Sequence, residues 1–183
     1  MEATLERWEI EAKLNRDRAW LLETYAALSA DDLFRPCTPS EHDPATMWSA
    51  ADHLAHLAGI EGSFTRMIRD FLGGSRDPIA FYKNADGSAR TAEQAMAAVH
   101  EMTEAWVRQH RGKPFSAIVA LGQEARAETL ALLASLTGEQ LALKLPEAPW
   151  ADGSIGGVLA VNADHGRMHY RWVKEGWESS RDA

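Results

Sequence analysis

Between Ile155 and Trp172 the sequence IGGVLAVNADHGRMHYRW repeats its apolar residues at the spacing of an α-helix, and this stretch limits the fold more than any other. At about 100° per residue, Val158, Val161, His165, His169 and Trp172 fall within roughly 40° of one direction. Such a stripe has to be laid against other elements. Histidine is rarely wanted there for packing, yet His165 and His169 stand inside the stripe four residues apart, so their rings project from successive turns of one face. Two rings so placed can bind one metal ion together. A third donor has to come from elsewhere in the chain.

Four further segments read as helices. From about Ala3 to Leu28, the residues Leu5, Trp8, Ala12, Ala19, Leu22 and Ala26 form an apolar stripe with charges opposite, and Asn15 lies on that stripe as a buried amide or a pocket-lining group. Ser49, with Asp52 three residues on, marks the start of a helix that runs to about Leu72, where Gly73 and Gly74 end it. Its apolar side is Ala50, Leu54, Leu57, Ile60, Phe64, Met67, Ile68 and Phe71. His53 sits near the middle of this face and His56 towards its edge, so the missing donor has two candidate sources. Thr91 with Gln94 opens another helix to about His110, with Ala95, Met96, Val99, Met102 and Trp106 as its buried side. After the break at 111–114, a helix to about Leu136 turns Ile118, Leu121, Ala125, Leu132, Leu133 and Leu136 inward. Ser154 is the N-cap of the helix that opens at Ile155.

Between these helices, 30–34 reads as a short turn, and Pro36, Pro39 and Pro44 exclude regular helix from the stretch that follows. The stretch 73–90 reads as a loop long enough to cross the end of a bundle and to cover a site. With almost no alternating apolar pattern, the expected fold is all-α: a helical bundle with that crossover loop and an accessory helix between the second and third bundle helices. The expected domain organisation is one domain over residues 1–177, with 178–183 a frayed tail.

The net charge of −8 and the pI near 5.3 oppose a phosphate-tracking surface, so neither nucleic acid nor a membrane surface is expected as a partner. No apolar run approaches the roughly 18 residues of a transmembrane helix, and the charged start MEATLERWEI is unlike a signal peptide, so the expected location is cytoplasmic. Cys37 is the single cysteine, which excludes an internal disulfide and a multi-cysteine zinc site. Any metal must therefore be held by histidine and carboxylate. Seven tryptophans supply large packing units between helices.

An imidazole buried without partners costs on the order of 1–3 kcal/mol, so each inward histidine needs its nitrogens satisfied. A metal ion does this and leaves coordination positions open when only three imidazoles hold it. A dication so held lowers the pKa of a coordinated water to roughly 7, stabilises a thiolate or polarises a carbonyl, and zinc or nickel suits the donors. Asp52 and Asn162, within about a turn of the histidines, are candidates to orient them. Cys37 and His42 share the proline-rich stretch but make a weak nucleophile–base pair, and His100 and His110 read as solvated or core residues of the accessory helix. Gly166 reads as a point of close helix contact, or as room beside a metal. No phosphate-cradling glycine loop, Ser-His-Asp order or HExxH motif is present.

The segment MWSAADHLAHLAG, followed some hundred residues later by NADHGRMHYRW, resembles the DinB-like superfamily of four-helix bundles. Such proteins carry a Trp-Ser/Thr start to the second helix with a histidine on it, and a His-x-x-x-His on the last helix. The resemblance covers about residues 5–175 and implies a divalent metal held by His56, His165 and His169. It also exposes a departure, because position 53 is generally aliphatic in these proteins and is His53 here, which keeps His53 as the alternative first ligand. The stretch PWADGSIGGVLAVNADHGRMHYRWVKEG further resembles the ClbS-like branch, known for self-protective hydrolysis of a reactive natural product; another branch holds thiol-dependent transferases and isomerases.

The expected function is thus a metal-dependent enzyme, of hydrolase or thiol-dependent transferase or isomerase type, acting on a small molecule and in the second case with a low-molecular-weight thiol. The alternative is a non-catalytic, metal-free bundle that binds or sequesters a small molecule. A plain structural bundle needs only the exposed faces of these helices, which are also compatible with a homodimer.

Overall fold

The structure is a computed structural model, and it describes residues 5–79, 83–84 and 86–179. Among these, the chain forms α1 (Arg7–Ala26), α2 (Ala30–Phe34), β1 (Pro36–Pro39), β2 (Met47–Ser49), α3 (Ala50–Leu72), α4 (Ala92–His110), α5 (Phe115–Ser135), α6 (Gly138–Ala142) and α7 (Ile155–Ser179). α3 packs against α5 and α7, and α1 packs against α7 and α5, so the four long helices close a ring in the order α1, α7, α3, α5. α4 lies outside the ring on α3, as the accessory helix. Trp106 fastens it there by donating to the Ala55 carbonyl at 2.7 Å. No helix among the described residues is long and apolar enough to cross a membrane.

The helix starts follow from side-chain caps. Ser49 and Asp52 form a reciprocal capping box on α3, and Thr91 with Gln94 does the same on α4, each satisfying backbone N–H groups that a helix leaves open. The same box, Thr137 with Gln140, opens α6, a short helix inside what reads in sequence as a linker. The long connection 73–91 spans from the end of α3 to the start of α4; its residues 80–82 and 85 lie outside the described set. Glu178 and Ser179, expected to fray, form the end of α7, while 180–183 lie outside the described residues.

Two expectations change. The inward face of α1 is Ile10, Leu14, Asp17, Arg18, Leu21 and Tyr25, with Trp8 68% exposed and Asn15 exposed, so Asn15 is not a buried amide. The true face is disguised because it includes charged residues: Asp17 accepts from Arg167 of α7 at 2.8 Å, and the Arg167 guanidinium lies 4.2 Å from the Trp20 ring centroid. On α4 the buried residues are Ala95, Thr103, Glu104, Val107 and His110, while Met96 is 54% exposed, because Glu104 rather than an apolar residue is drawn inward.

The core divides into two clusters. One gathers Ile10, Leu14, Leu133, Leu136, Ile155 and Leu159; the other gathers Leu21, Tyr25, Leu33, Cys37, Leu54 and Val173. Across α1, α3 and α5, the buried Arg126 donates two bonds to Glu61 and one to the Leu14 carbonyl. The second cluster includes Cys37 because β1, paired antiparallel with β2, is pressed against α7. Gly176 makes that approach possible, since a methyl group there would overlap the Cys37 carbonyl. Gly176→Ala is therefore expected to force the sheet and α7 apart and to destabilise the protein by about 1–3 kcal/mol. A urea midpoint equal to that of the parent would count against this packing.

Candidate functional site

The site is assembled at the start of α3. β2 delivers Trp48 and the cap Ser49, and both Trp48 and His53 depend on what holds the strand in place. Glu104 of α4 does so: its Oε2 accepts from Trp48 Nε1 at 2.7 Å and from Ser40 Oγ at 2.6 Å, and all three residues are buried. Arg111 reaches the same place, with Nε 3.3 Å from Asp52 Oδ1 and a terminal nitrogen 3.7 Å from Glu104 Oε1. Burying a carboxylate is tolerated here because hydrogen bonds and a guanidinium share its charge. Trp48 then packs on the histidines, with its ring centroid 5.2 Å from that of His53 and 5.3 Å from that of His56.

From the opposite side α7 brings His165 and His169. Single ring nitrogens of His56, His165 and His169 all lie within 4.8 Å of one another, a spacing at which one cation could touch all three. The rings are close: His56 to His169 is 4.6 Å between centroids, His56 to His165 is 5.6 Å, and His169 to Trp172 is 4.7 Å. His53 stands behind His169 and is not one of this group. Its Nδ1 lies 2.8 Å from Nδ1 of His169, and its Nε2 lies 2.7 Å from Thr38 Oγ1. His169 Nε2 in turn lies 3.0 Å from His165 Nε2.

Burial lowers the pKa of all four rings. It brings His53 to about 4 and His165 to about 4. His56 falls to about 3, first by burial and then by the neighbouring His165, His53 and His100. His169 is held well below the usual value by burial and by His56, His165 and His53. Near neutral pH the rings are uncharged, which is the form that ligates metal. The buried Nδ1 atoms of His56 and His165 have no hydrogen-bond partner, which an apolar interior makes costly.

All four histidines line a cavity of about 890 Å³, whose other walls are mainly apolar and include Phe64, Met67, Met102, Trp150, Met168 and Trp172. Exposed Glu41, Arg66, Asp70 and Glu175 also border it.

The remaining candidates have other tasks. Asp52 spends its carboxylate on the α3 cap and on Arg111, and reaches no histidine. Asn162 is buried on α7, but the hydrogen bonds of His169 go to His53 and His165. Cys37 is buried and donates to the Trp48 carbonyl at 3.3 Å, and burial pushes its thiol up to about 11; His42 is exposed, so the two form no nucleophile–base pair. His110 is a core residue bonded to the Trp106 carbonyl at 2.8 Å, and His100 pairs with Glu41 at 3.1 Å. Gly166 lies where a methyl group would meet Leu21 at 3.1 Å, a close contact of α7 with α1. Thr38 and Glu104 belong to no motif in the sequence, and Trp48 belongs to the Trp-Ser helix start without any sign there of its packing on the histidines; these roles depend on contacts across the fold.

The comparisons agree with this architecture. A family model described as the DinB superfamily matches residues 41–173. The crystal structure of an uncharacterised protein from Escherichia coli UTI89 is similar with a TM-score of 0.65, 12% identity, and coverage of 96% of this chain and 94% of that one, a likeness of fold alone. The comparison with curated proteins gives no match.

Proposed function

The chain belongs to the DinB superfamily, and from that premise we propose that it is a metal-dependent enzyme in which His56, His165 and His169 hold one divalent cation, zinc or nickel, beside a cavity that takes a small, largely apolar molecule. The observation that carries this reading is the donor set: three uncharged, closely spaced imidazoles from two helices, two of them with an Nδ1 buried and unpartnered. The residues fit the ion in number and chemistry. When bound, the cation would supply Lewis acidity toward a substrate oxygen or stabilise a thiolate, which suits hydrolysis or thiol-dependent group transfer. The protein's own part is to bind and exclude. The apolar walls take up the substrate's carbon skeleton and keep water sparse, and the four methionines among the cavity's lining residues can adapt to its shape. Trp48 and Trp172 pack on the rings and restrict their rotation.

Protein purified without an affinity tag is expected to carry about one equivalent of divalent metal, lost on His165→Ala/His169→Ala substitution while helical content is kept. A wild-type chain that binds neither zinc nor nickel, and whose melting temperature neither ion raises, would sink the reading. The volume and apolar lining of the cavity also support the second reading, a protein that sequesters its ligand without turnover. Ligand-dependent thermal stabilisation with no product formed, in metal-free protein, would favour it.

A further inference from the structure

The hydrogen bonds around His169 form an ordered series, and the direction of that series can be read from its end. A neutral imidazole carries one N–H. If the N–H of His169 is on Nδ1, it donates to His53 Nδ1, His53 must then carry its proton on Nε2 and donate to Thr38 Oγ1, and His165 donates from Nε2 to His169 Nε2. If the N–H of His169 is on Nε2, every bond reverses and His165 must carry its proton on Nδ1. That nitrogen is buried and has no partner. The reversed series would leave an orphaned N–H donor in the interior, which native proteins rarely tolerate, whereas the first leaves only a bare lone pair.

We propose that His53 is a positioning residue: together with Thr38 it holds His169 in the Nδ1–H tautomer, leaving the Nε2 lone pair of His169 facing His165 inside the triad. An aliphatic residue at position 53 could not do this. His169 would lose the acceptor for its Nδ1–H, and its ring would be free to turn the donor toward His165. Thr38 places β1 in the same series, so the sheet that Glu104 and Gly176 hold in position also sets the tautomer of a residue on α7. The consequence for metal affinity rests on the proposed metal site; the tautomer assignment does not.

The two parts are tested separately. Long-range 1H–15N NMR on the metal-free full chain is expected to show His169 protonated at Nδ1 and His53 at Nε2, and the opposite tautomers would overturn the proposal. In zinc titrations against a competing chelator, His53→Leu is expected to keep one site and bind zinc about 10–100-fold more weakly. His53→Asn, which offers an amide oxygen near the position of Nδ1, should recover most of that loss. Thr38→Val, at a half-buried position, gives the same reading should the leucine variant fail to fold, with a weakening in the same direction. Unchanged affinity in the substituted proteins, or loss of the site altogether in His53→Leu as for His56→Ala, would overturn the positioning role. A wild-type chain that takes up no zinc refutes the metal site instead, and leaves the NMR result to decide the tautomer.

Discussion

In the presence of a chelator, the protein is expected to lose most of its stability as the pH falls from about 6.5 to about 4. His53, His56 and His165 have folded values of about 4, 3 and 4, set chiefly by burial, against an ordinary value near 6.5. Below pH 6.5 the unfolded chain takes up protons that the folded rings refuse, so the unfolded state binds more protons and stability falls with falling pH. The folded pKa is depressed in each case, so the stability is complete above about 6.5 and the loss ends only where the folded rings themselves titrate. Each of the three contributes on the order of 3 kcal/mol across that window, and His169 adds in the same direction. Together they match the whole stability of an ordinary domain, about 5–15 kcal/mol, so the bundle should unfold before the rings titrate in place. Urea midpoints at pH 7.5, 6.5, 5.5 and 4.5 measure this. A curve that stays flat to pH 5 would mean that the rings are less buried than the structure has them. Saturating zinc should move the loss to lower pH, because the cation competes for the same lone pairs.

The second large effect concerns the buried ion pair of Glu61 with Arg126. Arg126→Met should destabilise the protein by about 3–5 kcal/mol, because it leaves Glu61 buried without its cation and the Leu14 carbonyl without its donor. For a chain of this length that corresponds to a fall in Tm of about 6–20 °C. The double variant Arg126→Met/Glu61→Leu should recover most of the loss, since a buried pair replaced by apolar groups is often neutral. Arg18 is a natural understudy: it is buried, its Nε and Nη2 lack partners, and it already lies in the field of Glu61. A single variant with unchanged Tm would show that Glu61 needs no partner from α5.

The long helices were legible where side chains announce their ends. Ser49 with Asp52 and Thr91 with Gln94 place two starts to the residue, because a capping box is a local interaction of one turn with itself. Thr137 with Gln140 carries the same signal, but the helix it opens has five residues and no apolar stripe of helical length to accompany it. The face of α1 is hidden for the opposite reason: its inward positions include Asp17, which accepts from Arg167 of α7, and Arg18, which lies in the field of Glu61 of α3. The small sheet is hidden because prolines at 36 and 39 argue against strands, and its two strands are only four and three residues long with an irregular register.

For the site, the stripe of α7 pointed to His165 and His169 directly, but His53 and His56 share one face of α3 and spacing could not separate them. What separates them is which part of the α7 pair each one meets, since both rings contact His169. His56 closes the group of three, while His53 is turned to Nδ1 of His169 and to Thr38.

His56 and His165 are separated by roughly 110 residues of chain. At about 5–20 residues per second, a ribosome finishes α7 some 5–20 seconds after α3. α5 covers part of the apolar face of α3 only once Ser135 has been added, and until α7 follows neither of the two imidazoles that it supplies is present. A nascent chain therefore holds a lone imidazole from this triad and has no means of retaining an ion that it meets early. If the triad holds a cation as proposed, its selection waits for α7, since the same helix that closes the bundle also completes the triad.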